Sequence, residues 1–190
     1  IPGVQPKSRK GSLVWDVDSK GFYYTRYPAP AGVLGAEAAG QVMWHGVGSD
    51  PQTDRVELGK GPLPEASIEL KADPRGRFVL ASSHQWTAGD HAHWLRYPQG
   101  RWKLLAPIGE KIERADFGRA PSYVELPADD ALYLLSRART PKGRLVRLPL
   151  SNPVLDANNL DVVIPESKET LMDFRMAGSG IYASYLRGGM

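Results

Sequence analysis

The chain contains no cysteine, so disulfides, thiolate metal sites and a cysteine nucleophile are excluded. No Gly-x-Ser-x-Gly elbow occurs, and that is the local pattern an α/β-type serine hydrolase uses to expose its nucleophile. A Gly-x-Gly-x-x-Gly turn and a P-loop are also missing, so no cofactor phosphate has a cradle here. No run of roughly 18 apolar residues exists, so no segment is expected to enter a membrane. A cysteine-free chain survives in either redox environment, which leaves the compartment of a soluble protein open between cytoplasm and periplasm. The opening Ile1-Pro2-Gly3-Val4-Gln5-Pro6 carries neither an initiator Met nor an apolar signal segment, and predicts a piece cut from a longer polypeptide.

What is present is ordinary globular material, 42% apolar and 24% charged, with Gly 20 and Pro 16. So many Gly and Pro require frequent turns, which suits many short strands better than a few long helices. The net charge of +3 is spread along the chain, apart from the cluster Lys7, Arg9 and Lys10. A nucleic-acid surface would show a basic stripe interleaved with aromatics, so no nucleic-acid partner is expected.

Four segments share one shape: an apolar-alternating strand, a turn, then an apolar or aromatic strand. They are Leu13–Asp16 with Phe22–Arg26, Ser67–Leu70 with Arg77–Ser82, Tyr123–Leu126 with Ala131–Ser136, and Leu171–Met176 with Ile181–Tyr185. Their turns hold Asp, Gly and Pro, which supply the positive or preset φ that tight turns require. The second strands begin at Phe22, Phe78, Leu132 and Ile181, a repeat of roughly 50 residues, as in propeller blades. Further strands are expected at Gln41–His45, Arg55–Leu58, His91–Arg96, Arg101–Leu105, Arg144–Leu148 and Asp161–Ile164. The fold expected is all-β: a partial β-propeller of about three and a half four-stranded antiparallel blades. The blades fall at approximately 11–60, 65–107, 121–165 and a partial 169–190. A blade cut after two strands leaves an open edge, with self-association as a natural remedy. The competing fold is a β-sandwich of about fourteen strands.

Few residues invite chemistry. Gly178-Ser179-Gly180 reads as a hairpin turn rather than a nucleophile. His91 and His93 flank Ala92, so on a strand both rings share a face, and with His84 or Asp90 they form a conceivable zinc set. No motif frames them, and satisfied or solvent-facing histidines are the preferred reading; His45 stands alone. Asp129-Asp130 suggests an acid–base pair, but a turn explains the two residues. The five tryptophans are expected to pack between blades, with a stacking platform as the alternative. The site inventory at this level is therefore empty: no catalytic, cofactor-binding or metal residue is assigned.

Two stretches resemble the prolyl oligopeptidase family. Leu13-Val14-Trp15-Asp16-Val17-Asp18-Ser19-Lys20-Gly21-Phe22-Tyr23-Tyr24-Thr25-Arg26-Tyr27-Pro28 resembles a blade-opening hairpin of that family's propeller. Val42-Met43-Trp44-His45-Gly46-Val47-Gly48-Ser49-Asp50-Pro51, followed by Asp54-Arg55-Val56, resembles the next element. Val163-Ile164-Pro165-Glu166 and Tyr185-Leu186 are similar to a later blade boundary. The Ala/Gly-rich segment Ala29 to Gly40 stands where the family has a variable loop, and is expected to be a flexible tip.

The resemblance implies a seven-bladed propeller over an α/β-hydrolase domain, whose first and last blades share no sheet. There the propeller gates and size-selects peptide substrates cleaved after proline. This chain would supply consecutive middle blades, with the catalytic triad and the hydrolase partner elsewhere in the parent chain. By itself it is expected to be no enzyme. The alternative is a free-standing propeller-like scaffold that binds a protein partner.

Overall fold

A computed structural model describes residues 11–27, 40–59, 66–85, 91–118 and 129–188. Among them lie fourteen strands: β1 (Leu13–Trp15), β2 (Gly21–Arg26), β3 (Gln41–Gly46), β4 (Arg55–Leu58), β5 (Ala66–Ala72), β6 (Val79–Gln85) and β7 (His91–Arg96), followed by β8 (Trp102–Ala106), β9 (Ile112–Phe117), β10 (Ala131–Ser136), β11 (Arg144–Pro149), β12 (Asp161–Ile164), β13 (Thr170–Ala177) and β14 (Gly180–Leu186). They form four sheets: β1-β2-β3-β4, β5-β6-β7-β8, β9-β10-β11-β12 and the pair β13-β14. Among the described residues short 3-10 turns interrupt them at Pro51–Thr53, Ile108–Glu110 and Ala157–Asn159. No helix among the described residues is long and apolar enough to cross a membrane.

The chain divides into two compact units, residues 1–90 with 94–103, and residues 91–93 with 104–190. In the first unit, alternation on β2 and β3 puts Tyr23 and Val42 on one face. That face packs on Ile68, Leu70, Val79 and Ala81, with Trp44, Trp94 and Trp102 at its margin. The opposite face carries Phe22 beside Tyr24 and His45. Edge strand β5 is closed by side chains: Ile68 N donates to the Tyr27 hydroxyl at 2.8 Å and Leu70 N to Ser12 Oγ at 2.9 Å. Backbone donors on an open edge are thereby satisfied without a further strand.

In the second unit β10 is buried at every position. Ala131, Tyr133, Leu135 and Leu145 form a core with Leu171 and Phe174 of β13. The loop before β11 ties to β13, with Leu171 N donating to Lys142 O at 2.8 Å and Arg137 Nη2 to Leu171 O at 2.9 Å.

Three sequence expectations shift. The strand pairing with β10 on its open side is Ile112–Phe117, a segment the hairpin repeat leaves unassigned. Tyr123–Leu126, expected there, lies outside the described residues, as do Ala29–Ala39. Strand β6 starts at Val79 rather than Arg77, because Asp73 and Phe78 close the preceding turn through Asp73 N→Phe78 O (2.9 Å) and Phe78 N→Asp73 Oδ1 (2.9 Å). Trp15 is 54% exposed, so among the described residues it packs between no sheets; its ring meets Phe22 edge-on at 5.5 Å.

Candidate functional site

The polar residues of the described chain collect around carboxylates. On the outer face of the first sheet, the antiparallel register sets His45 opposite Phe22 and Met43 opposite Tyr24. The 3-10 turn at Pro51–Thr53 then delivers Asp54 beneath them. His45 Nδ1 lies 2.6 Å from Asp54 Oδ1, and the Tyr24 hydroxyl donates to Asp54 Oδ2 at 2.7 Å. Asp54 is almost wholly buried. Burial first, and then the hydrogen bond and charge of Asp54, push the Tyr24 phenol well above its ordinary pKa.

An imidazole oriented by an aspartate is half of a nucleophile-activating arrangement. Here the hydroxyl donates to the carboxylate rather than to the ring, so the three groups cross-tie β2, β3 and the approach to β4 instead of activating an oxygen.

A second cluster sits on the inner face of that sheet. Asp16 Oδ2 accepts from the Tyr23 hydroxyl and from Trp44 Nε1, both at 3.2 Å. Arg96 of β7 approaches Asp16 at 3.9 Å and lies over the Tyr23 ring at 4.9 Å. The second unit repeats the device. Arg114 of β9 pairs with Asp173 at 3.2 Å and Asp116 at 3.3 Å, and lies over the Phe174 ring at 5.7 Å. A guanidinium set on an aromatic face beside a carboxylate fastens one sheet to the next.

Ser179 occupies the two-residue loop between β13 and β14, where its hydroxyl meets the Tyr182 phenol at 3.1 Å rather than an imidazole. The His91 and His93 rings are stacked at 6.3 Å, so the shared face expected from the sequence is present. His93 is fully buried with Nε2 2.9 Å from Ile112 O. Asp90 and Trp86 lie outside the described residues, and no group of three or more potential metal ligands occurs within them. His84 has interactions of its own.

Asp129 is more than a turn residue. It accepts from the Tyr133 hydroxyl, and from Arg147 Nε at 3.2 Å and Nη2 at 3.0 Å. Its neighbour Asp130 uses its carbonyl to accept from Leu150 N at 3.0 Å. From the sequence Asp129 is only half of an acidic turn pair, and Asp16, Asp54, Arg96 and Arg114 carry no assigned role there. The recoverable signal is an Asp between the first and second strands of each four-stranded sheet, at 16, 73 and 129.

A family model for the prolyl oligopeptidase N-terminal β-propeller domain matches residues 5–190. Among solved structures, one comes from an analysis of two prolyl endopeptidases and the role of inter-domain dynamics in catalysis and specificity. It aligns with a TM-score of 0.67 and 19% identity over 93% of this chain and 24% of that chain. Prolyl oligopeptidase B from Galerina marginata, bound to a 35mer hydrolysis and macrocyclization substrate, aligns at 0.64 with 19% identity, over 91% of this chain and 24% of that one. The same enzyme with a 25mer macrocyclization substrate aligns at 0.64 and 19%, over 97% and 25%. No curated protein sequence matches the chain. The chain spans about a quarter of the length of these structures, and at such identities the likeness shows the fold, a partial β-propeller.

Proposed function

The chain belongs to the prolyl oligopeptidase N-terminal β-propeller family, and from that premise we propose that it is the non-catalytic propeller portion of a proline-specific serine peptidase. In this reading the propeller stands over an α/β-hydrolase domain outside residues 1–190. It admits short peptides to a buried site and turns away folded proteins. The observation that carries the reading is the family match, which runs across nearly the whole chain.

The side-chain chemistry supports it. Peptide hydrolysis needs an activated nucleophile and donors aimed at the oxyanion. Here Ser179 meets a phenol, His45 is held by Asp54 and His93 faces a backbone carbonyl. His45 and His93 are occupied with holding strands together, and Ser179 bonds within its own hairpin.

The test compares this chain with the full-length product of its gene, each given a short chromogenic peptide with proline before the reporter. Cleavage by the full-length protein alone is expected. Cleavage by neither overturns the peptidase assignment and leaves a free-standing scaffold. A second arm offers a folded protein with an exposed proline; turnover as fast as that of the short peptide removes the size-selecting role.

A further inference from the structure

We infer that the β10–β11 end of the third sheet is a docking surface for a carboxylate-rich peptide segment of a partner protein. Between Asp130 and Asp156 the sequence holds Arg137, Arg139, Lys142, Arg144 and Arg147 and no carboxylate. Four of these cations fall within the loop joining β10 to β11 or at its ends. Like charges at such density repel one another, so a loop that serves only as a connection gains nothing from them.

The loop is ordered from within. Thr140 N donates to Arg137 O at 3.2 Å and Gly143 N to Thr140 O at 2.7 Å. Thr140 Oγ1 donates to the carbonyls of Ser136 and Ala138, both at 3.2 Å. Arg137 is spent on structure, with Nε on Glu113 at 2.8 Å and Nη2 on Leu171 O. Lys142 N donates to Glu166 Oε1 at 2.7 Å. A surface already ordered binds with less entropy to lose.

Other cations are drawn to the same place. Arg137 N donates to Lys111 O at 2.9 Å, so Lys111 adjoins the loop, and Lys142 Nζ donates to Lys168 O at 2.5 Å, which brings in Lys168. Lys111, Arg139, Lys142 and Lys168 are all exposed. Lys111 and Arg139 hold left-handed backbone at φ 50° and 57°, a conformation that costs a non-glycine residue energy and tends to collect at binding sites. Arg144 Nε is buried with no acceptor among the described residues.

The far end of the same sheet is richer in carboxylates, with Asp116, Asp129, Asp130, Asp156 and Asp161 against Arg114 and Arg147. The sheet is therefore electrically polar along its strands, which steers an acidic partner to one end. Arg and Lys clusters recognise acidic motifs in just this way. Exposed Glu110 and Glu166 lie among the cations and interrupt any continuous phosphate track. A short peptide threads between them; a nucleic-acid backbone meets them.

The experiment is fluorescence anisotropy of a labelled oligoglutamate peptide against the intact protein at low and physiological salt. Arg139→Glu with Lys142→Glu is expected to weaken binding roughly tenfold or more and to flatten the salt dependence. Arg75→Glu with Arg101→Glu makes the same change of net charge in the first unit and is expected to alter binding less than about twofold. If the loop reversal lowers the melting temperature, Arg139→Ala with Lys168→Ala removes charge only and is expected to weaken binding roughly threefold. Equal losses in loop and control variants, no binding by the unaltered protein, or tighter binding of a single-stranded oligonucleotide would each overturn the inference.

Discussion

In the first sheet, Asp16 holds the third residue of β2, Tyr23, and that residue's cross-strand neighbour Trp44. In the third sheet, Asp129 holds the third residue of β10, Tyr133, and its cross-strand neighbour Arg147. The geometry is shared; the charge balance differs. Asp129 finds its cation on the next strand of its own sheet. Asp16 accepts from neutral donors within its sheet and borrows its cation, Arg96, from the next sheet at 3.9 Å. One carboxylate therefore knits a sheet internally, and the other fastens two sheets together.

Removing each carboxylate should expose that difference. Asp129→Ala takes two charge-assisted bonds from Arg147, which keeps only Asp161 at 3.3 Å, and strands a buried phenol, at a cost of about 2–3 kcal/mol. The figure is reduced because the Arg147 side chain is 31% exposed. Asp16→Ala loses two neutral hydrogen bonds and a long ion pair, about 1–2 kcal/mol. Urea midpoints of the two variants measure both. Raising salt should narrow the gap between them, since only the Asp129 pairing rests on a close charge. A larger loss for Asp16→Ala would mean that the contact between sheets outweighs the one within.

The tyrosines sharpen the comparison at high pH. Burial, then the hydrogen bond and charge of Asp129, push the Tyr133 phenol from 10.0 to about 12. Tyr23 is pushed up chiefly by burial, with Arg96 opposing and Asp16 reinforcing. Between about pH 10 and 12 the unfolded chain gives up a proton that the folded chain keeps, so stability falls as pH rises. Below the ordinary phenol value this contribution is fully present. Melting temperature should hold to about pH 10 and then drop, and Tyr133→Phe and Tyr23→Phe should each flatten part of the drop. A native tyrosinate absorbance titrating wholly at the ordinary value would contradict the burial of both rings.

Most of the hairpins were legible because alternation of period two and Asp/Gly turns are local signals. Strand β9 was not. Glu113, Arg114 and Asp116 make half of it charged, and its buried residues fall at Ile112, Ala115 and Phe117. The gap of three between the first two is where the register against β10 shifts, between Leu135 and Ser136. A bulge erases the periodicity by which a strand is recognised. The carboxylate clusters were hidden for another reason. Asp54 reaches His45 and Tyr24, and Arg96 reaches Asp16, only after strands distant in sequence have paired. What the sequence did carry was the family likeness, through the run from Leu13 to Pro28.

The first two sheets offer a finer contrast, in turns of one construction. Asp16 N donates to Gly21 O at 3.0 Å and Asp73 N to Phe78 O at 2.9 Å, and inside each turn the residue three after the Asp donates back to its carbonyl. That inner residue is left-handed in both, Ser19 at φ 57° and Gly76 at φ 71°. Glycine adopts this backbone freely, whereas a residue with a Cβ loses about 1–2 kcal/mol. Ser19→Gly should relieve that strain while adding about 0.4–1 kcal/mol of chain entropy to the unfolded state. The net expectation is a gain of a few tenths of a kcal/mol, or a rise of about one degree in melting temperature. Ser19 makes no other described bond that the change would remove, so a fall in melting temperature would mean that the turn of the first sheet is held by its closing bonds with strain to spare, and that the second sheet's glycine answers to the Val17 backbone 3.3 Å from where its Cβ would stand.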